Sequence, residues 1–110
     1  KPNLHELRSG LGLAIEKTDS SSLLHAVNKL LFERNIELVM VTLSEAGVFI
    51  AAGNDGLIIP AHIRNISDVS GAGDTVISVA SLCVAAGLPK ETIAGLSNLA
   101  GGLVCEMIGV

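Results

Sequence analysis

The sequence has 110 residues, of which 49% are hydrophobic and 16% charged, and its formal net charge is −4. This length accommodates one domain, and its core must be aliphatic because Phe32 and Phe49 are the only aromatic residues. The sequence has no basic run, which argues against a nucleic-acid partner. Cys83 and Cys105 lack CxxC spacing, so we expect both to be free, buried thiols of a cytoplasmic protein.

The first part of the chain predicts two helices and a buried strand. Asn3 is a favoured N-cap and Glu6 follows at the third helical position, which resembles a capping box opening a helix through about residue 10. The polar residues 19–22 offer caps for a second helix to about residue 34. Residues 37–43 are rich in β-formers and apolar almost throughout, which is typical of a strand buried on both faces of a parallel sheet.

Short turns and strands are expected next. Residues 44–47 form a tight turn that joins this strand to another over 48–52, as in a hairpin. The GNDG sequence at 53–56 is a stronger hairpin signal, and it leads to a third strand that Pro60 ends. Residues 62–66 alternate polar and apolar side chains, which predicts a half-exposed edge strand.

The chain is organised around residues 68–75, DVSGAGDT, which precede a long apolar run. A glycine-rich turn that opens a helix directs free N–H groups to one point, where the helix dipole adds about half a positive charge. Phosphate commonly binds at such a point. A carboxylate there, Asp74, is repelled by phosphate, so a function should explain its presence, and the natural one is to accept a proton from a hydroxyl that attacks the phosphate. The alternative is that Asp74 only caps the helix.

Two helices follow this turn. The first, over about 72–86, is apolar nearly all round, which predicts burial in the middle of the fold. The second starts near Lys90 and has an apolar stripe of Leu96, Leu99, Leu103 and Met107. Its small residues allow close approach of another helix or of an adenine ring, and Ser97 and Asn98 could face a base or be satisfied inside the protein. Asn98, Glu106 and four glycines favour a buried helix over a membrane span.

Four segments resemble, in order and rough spacing, the ribokinase-like (PfkB) family of carbohydrate kinases. Residues 70–75, SGAGDT, resemble the family's C-terminal signature, usually written DTxGAGD. Residues 1–6, KPNLHE, resemble its KPNxxE segment, and residues 41–47, VTLSEAG, resemble its TLGxxG turn. Residues 98–100 fall where the family has a helix beside the adenine. The chain is most similar to the bacterial heptose-phosphate kinases of lipopolysaccharide-core synthesis.

The resemblance implies an α/β fold with a largely parallel sheet, a hairpin region and flanking helices. It implies that residues 1–110 are the C-terminal, ATP-binding portion of a sugar kinase, which transfers a phosphoryl group from ATP to a sugar or sugar-phosphate hydroxyl. A heptose phosphate on the route to ADP-heptose is the expected substrate. Because the chain starts inside a motif, we expect a fragment that lacks the N-terminal half of the kinase and is inactive alone.

The resemblance also assigns roles to individual residues. Asp74 would be the catalytic base, while the backbone N–H groups of Gly71, Ala72 and Gly73 would hold the charge on the moving phosphoryl group. Glu6 would hold the water shell of Mg²⁺, and Asp68 a monovalent cation, although Val69 stands in place of the usual Thr. The residues expected to contact the nucleotide are Asn3, Glu6, Ser44, Gly47 and Asn98. Ser44 replaces the family's first glycine, and a serine does not freely adopt a positive φ.

Other functions fit the same residues. The chain could bind nucleotide or a partner without turnover, and its open sheet edge and exposed apolar helix surface would then favour a homo-oligomer. A kinase for a nucleoside or a vitamin alcohol is a second alternative. Locally, Asn3 and Glu6 could serve only as caps, residues 44–47 only as a hairpin turn, and Asp68 only as a cap or solvated loop residue.

Overall fold

A computed structural model describes residues 1–12, 14–15, 19–60 and 72–105 of the chain. Within these ranges the chain is α/β, as predicted, with four α-helices, three β-strands and one turn of 3₁₀-helix over Ser44–Ala46. In chain order the elements are α1 (Leu4–Leu11), α2 (Ser20–Glu33), β1 (Val39–Thr42), β2 (Val48–Ala52), β3 (Asp55–Ile59), α3 (Ala72–Ala85) and α4 (Lys90–Cys105). The edge strand predicted over 62–66 lies outside the described residues.

The described strands form an antiparallel sheet in the order β1–β2–β3. The hairpins predicted at residues 44–47 and 53–56 are confirmed, whereas the largely parallel sheet is not found among the described strands. Each connection is a short turn, which can reverse the chain but cannot cross over to a parallel neighbour. The one parallel pairing among the described residues is a bridge between Asn3 and Thr42, where the Thr42 N–H donates to the Pro2 carbonyl at 3.1 Å.

The predicted caps set the helix ends in the first half of the chain. Asp19 caps α2, its carboxylate accepting a hydrogen bond from the Ser21 N–H at 3.1 Å. Asn35, just beyond α2, has a left-handed φ of 52°, which ends the helix. Gly12 ends α1 in the same left-handed conformation, with a φ of 65°. These ends lie within a residue or two of the predicted ones.

Both faces of the sheet are covered, because alternate residues of a strand point to opposite sides. On one face Val39, Val41 and Phe49 pack in a core with α1 and α2. On the other face Met40 and Ile50 pack in a core with α3 and α4. The strand β1 is thus buried on both sides, as its continuous apolar sequence predicted.

Helix α3 is not buried all round, which corrects the prediction from its composition. Val76, Ala80 and Cys83 are buried against α4 and the sheet. Leu82, by contrast, keeps 72% of its surface exposed and Val84 keeps 52%. Leu82 and Val84 lie on different faces of α3, since they are two positions apart, and each leaves apolar surface uncovered by the described residues.

Helix α4 turns small residues, rather than its leucines, toward the protein interior. Leu96, Leu99 and Leu103 are exposed, so the predicted apolar stripe is not the buried face. Gly101 allows α3 to approach closely, since a Cβ at this position would lie 2.7 Å from Val76 Cγ2. At the start of α4, Lys90 Nζ lies 2.6 Å from the Asp55 carboxylate of β3. None of the described helices is long and apolar enough to cross a membrane.

Candidate active site

One edge of the sheet brings together two of the segments that the sequence analysis singled out, residues 1–6 and 41–47. Backbone pairs form a row across the strands, from Asn3 to Thr42, from Thr42 to Val48 and from Val48 to Ile59. Neighbouring strands lie about 4.8 Å apart, so the row spans about 14 Å. It marks the carboxyl ends of β1 and β3. The turn at 44–47 and the chain beyond β3 therefore leave the sheet from the same edge.

At one end of this row, Asn3 and Glu6 form a capping box. The Glu6 N–H donates to Asn3 Oδ1 at 2.7 Å, and the Asn3 N–H donates to Glu6 Oε2 at 2.8 Å. Both side chains are exposed to solvent. The capping interpretation is therefore confirmed, and it leaves the Glu6 carboxylate accessible to a ligand.

The turn after β1 holds a serine in a conformation that favours glycine. Ser44 has a φ of 54° and Gly47 a φ of 104°. The turn is closed by a hydrogen bond of 2.8 Å from the Leu43 N–H to the Gly47 carbonyl. Ser44 is exposed whereas Gly47 is buried. The backbone thus keeps a left-handed residue where the family has glycine, at the cost of local strain.

The first turn of α3 contains Ala72, Gly73 and Asp74. Gly73 and Asp74 are exposed, so the carboxylate and this helix end face solvent. Asp74 lies within the helix and not at the residue before it, which rules out its being the N-cap. Gly71 and Asp68, the other predicted members of the turn, lie outside the described residues.

Lys1 is a residue of this site that sequence reasoning missed. Its Nζ lies 3.9 Å from the position that a Cβ on Gly73 would occupy. The ammonium therefore adds positive charge where the α3 dipole is already positive. The signal was available, because Lys1 opens the KPNLHE segment from which only Asn3 and Glu6 were assigned roles.

Asn98 and Ser97 both lie in the protein interior. Asn98 is 7% exposed, and its Nδ2 donates a hydrogen bond to the carbonyl oxygen of Pro60, directly after β3. Ser97 is completely buried, and its Oγ has no hydrogen-bond partner among the described residues. The structure thus gives Asn98 a backbone partner at the end of β3.

The acidic residues of the described chain do not form a metal cluster. Within the described ranges, no three His, Cys, Asp or Glu side chains lie close enough together to hold an ion. Mg²⁺ is commonly bound through one or two carboxylates together with substrate phosphates. A single exposed carboxylate at Glu6 fits that mode of binding.

A groove of about 350 Å³ runs between β1 and α3. Its walls are mainly apolar, with Met40 from the strand and Ile77 and Val84 from the helix, and Lys1 lies at its border. Asp74 does not line it. Lys1, whose Nζ also approaches Gly73, therefore lies between the groove and the exposed first turn of α3.

The fold matches that of known sugar kinases. It superimposes on phosphofructokinase-2 from Escherichia coli, solved in complex with potassium, with a TM-score of 0.87 at 18% identity, over 98% of this chain and 34% of that one. Ribokinase from Thermotoga maritima gives a TM-score of 0.79 at 20% identity, over 98% of this chain and 35% of that one. The ribokinase-like fold expected from the sequence is confirmed.

Sequence comparison identifies the family. The profile described as "pfkB family carbohydrate kinase" matches residues 1–110, and the chain belongs to this family. The "Bifunctional protein HldE" of Shewanella piezotolerans is 39% identical over 109 residues, and that of Geobacter metallireducens is 35% identical over the same length. Each alignment covers 98% of this chain but only 22% of the relative. The chain thus spans about a fifth of the length of these curated relatives.

Proposed function

We propose that residues 1–110 form the C-terminal, ATP-binding part of a sugar kinase that transfers the γ-phosphoryl group of ATP to a sugar or sugar-phosphate hydroxyl. The observation that carries this proposal is the exposed first turn of α3, which contains Asp74 and where the Lys1 ammonium approaches Gly73. The positive end of the helix dipole and the lysine charge favour a bound phosphate, and Asp74 would supply the proton acceptor.

In the proposed reaction Asp74 accepts the proton of the attacking hydroxyl. The hydroxyl oxygen forms a bond to the γ-phosphorus as the bond between that phosphorus and the departing ADP oxygen breaks. The N–H groups of Gly71, Ala72 and Gly73 hold the negative charge on the moving phosphoryl group. Lys1, near Gly73, adds positive charge to the positive, N-terminal end of the helix dipole.

The nucleotide and the cations are each assigned to particular residues. We propose that Asn3, Ser44, Gly47 and Asn98 belong to the nucleotide site and that Glu6 holds the water shell of Mg²⁺. Bound Mg²⁺ would neutralise charge on the β- and γ-phosphates. Asp68 is proposed to hold a monovalent cation, and the potassium in the phosphofructokinase-2 structure supports that type of ion.

A heptose phosphate, on the route to ADP-heptose, is the proposed acceptor. Support comes from the KPNLHE and DVSGAGDT segments, which resemble those of bacterial heptose-phosphate kinases. The HldE relatives are 35% to 39% identical across the chain, well above the 18% of phosphofructokinase-2. A kinase for a nucleoside or a vitamin alcohol is the competing proposal, and a substrate screen on the full-length protein separates them.

The uncovered apolar surface fits a chain that is part of a larger kinase. The exposed side of α3 that carries Leu82 is proposed to pack against the N-terminal half of the protein. The second candidate function, a non-catalytic module that self-associates, uses the same surface. The solution mass of the isolated chain tests self-association. A clean monomer at high concentration would contradict self-association.

The experiment that tests the proposed function has two parts. Calorimetric titration of the chain with ATP, with and without Mg²⁺, is expected to give saturable binding that weakens when the metal is removed. The full-length protein is then assayed for ATP consumption with a panel of sugar phosphates. ATP binding without transfer to any acceptor would favour the non-catalytic module.

A further inference from the structure

The side of β1 that faces away from β2 is paired at one position among the described residues. There the first residues of the chain run parallel to β1, with Asn3 registered with Thr42 and the Thr42 N–H donating to the Pro2 carbonyl. Successive amides of an antiparallel strand point alternately to its two neighbours, so the Met40 N–H points to the same outer side as that of Thr42. This side of β1 can therefore pair with a further strand.

Lys1 is already in register with this side of β1. Counting back from the bridge places Lys1 beside Met40, and the structure agrees, because both residues line the groove between β1 and α3. The same count places the residue two before Lys1 in a longer protein beside Leu38, which also lines the groove and packs in the same core as Met40. Because Pro2 follows Lys1, the Lys1 backbone favours the extended conformation of a strand.

The groove is covered on its inner side and uncovered on the side of α3. Met40 is 5% exposed and Ile93 is 4% exposed, so the inner wall is packed. Ile77 and Val84, which share one face of α3 because they are seven residues apart, are 40% and 52% exposed. Lys1 is the one charged residue among the described residues that line the groove. An apolar side chain is therefore the occupant that the groove fits.

From these contacts we propose that the residues directly before Lys1 in the full-length protein form a β-strand that pairs in parallel with β1, and that the second residue before Lys1 places an apolar side chain in the groove. This proposal rests on the part of the proposed function that puts an N-terminal half before residues 1–110, and not on phosphoryl transfer. A longer protein is supported by the curated relatives, of which this chain covers 22%.

The proposed strand gives β1 and Lys1 a particular place in the whole protein. β1 is the strand at which the sheet changes from parallel pairing to the antiparallel hairpins. The pairing also fixes the backbone at Lys1, whose Nζ lies 3.9 Å from the position of a Cβ on Gly73. The strand therefore holds the lysine ammonium at the first turn of α3.

A second copy of the chain is the competing occupant, because open strand edges and apolar grooves also pair between molecules. The chain's own preceding segment is favoured because Lys1 is already seated at the border of the groove. A segment joined to Lys1 is held beside β1 at a high effective concentration, which a separate molecule does not have.

Cysteine pairs in the full-length protein test the register. Leu38→Cys is combined with a cysteine at the second residue before Lys1, which lies beside it at a strand spacing of about 4.8 Å and within disulfide range. The matched control combines Leu38→Cys with a cysteine at the residue directly before Lys1, whose side chain points to the opposite face. We expect mild oxidation to cross-link the first pair within one chain about tenfold more than the control pair, as measured by peptide mass mapping.

Residue-resolved hydrogen exchange of the unmodified full-length protein gives a readout that needs no substitution. The Val41 N–H points to β2, where Val41 is registered with Phe49, whereas the Met40 N–H points to the proposed strand. We expect the two amides to exchange within about tenfold of each other, because both are paired. Exchange about 100-fold faster at Met40 than at Val41 would overturn the proposal.

The cross-links separate the remaining outcomes. Links between two chains would overturn the proposal in favour of a second copy, and equal linking of both cysteine pairs would overturn the register. Selective linking within one chain, in a protein that transfers no phosphoryl group from ATP to any sugar phosphate tested, would uphold the strand and contradict the proposed reaction.

Discussion

The side chains of Asn3 and Glu6 each accept a hydrogen bond from the other's backbone N–H, at 2.7 and 2.8 Å. This reciprocal pair caps α1, and Asn3 also pairs with Thr42 at the carboxyl end of β1. A structural cap and a proposed nucleotide and Mg²⁺ site therefore use the same two residues. Variants that preserve one role and remove the other can separate them.

Glu6→Gln is expected to preserve the cap and weaken the metal dependence of ATP binding. A capping box accepts Gln as well as Glu, so stability should change by less than about 0.5 kcal/mol. Mg²⁺ prefers a charged carboxylate, so calorimetry should show a smaller difference between ATP titrations with and without the ion. Asn3→Ala is the contrasting variant, which removes the cap at a cost of about 1 kcal/mol. An unchanged Mg²⁺ dependence in Glu6→Gln would limit Glu6 to capping.

Ser44→Gly is expected to stabilise the protein, because glycine adopts the left-handed conformation without steric cost. The gain should be about 0.5–1 kcal/mol, after the greater backbone entropy of unfolded glycine is subtracted. Asn35→Gly is the matched control, since Asn35 has a φ of 52°, close to the 54° of Ser44. Asparagine tolerates the left-handed region better than serine, so the gain from Asn35→Gly should be smaller. Urea denaturation of both variants measures the difference. Equal effects would show that the turn does not strain Ser44.

Two glycines of α4 give opposite predictions. Gly101→Ala places a methyl group 2.7 Å from Val76 Cγ2, so we expect a loss of about 1–3 kcal/mol as α3 is pushed away. Gly95→Ala places its methyl group in open space, and the higher helix propensity of alanine should stabilise the protein by about 0.5–1 kcal/mol. Thermal unfolding compares the two. Stabilisation by Gly101→Ala would contradict the close packing of α3 on α4.

Leu82→Asp tests what covers the exposed face of α3. Leu82 is 72% exposed in this chain, so the substitution should leave the stability of the isolated chain nearly unchanged. In the full-length protein it should destabilise by about 2–3 kcal/mol if the remaining chain packs on Leu82. Phe32→Asp is the control on α2, where Phe32 is 79% exposed. Equal, small effects of Leu82→Asp in both lengths would contradict the proposed packing.

The sequence predicted well those features that depend on local chemistry. Asn3, Asp19 and Asn35 start and end helices close to the expected places because caps act through neighbouring backbone groups. The family signature likewise identified Asp74, which the structure places in an exposed helix turn. These signals need no knowledge of the rest of the fold.

Features that depend on tertiary partners were less predictable. The turns predicted both hairpins correctly, but the apolar run of β1 also suggested a parallel sheet, because such a run signals burial on two faces and not the direction of the neighbouring strands. The leucine spacing of α4 predicts an apolar stripe, but these leucines are exposed and Gly101 packs inward against α3. The bond from Asn98 to Pro60 joins residues far apart in sequence, which no local pattern indicates.

The central claim is tested most directly by the turnover of Asp74→Asn in the full-length kinase, with ATP and a heptose phosphate as substrates. We predict a fall in kcat of about 10²–10⁴-fold with little change in ATP affinity or melting temperature, since the variant loses a base and not a binding group. Glu91→Gln is the control, an exposed carboxylate in the first turn of the neighbouring helix, and it should retain full activity. Wild-type turnover in Asp74→Asn would contradict the assignment of Asp74 as the catalytic base.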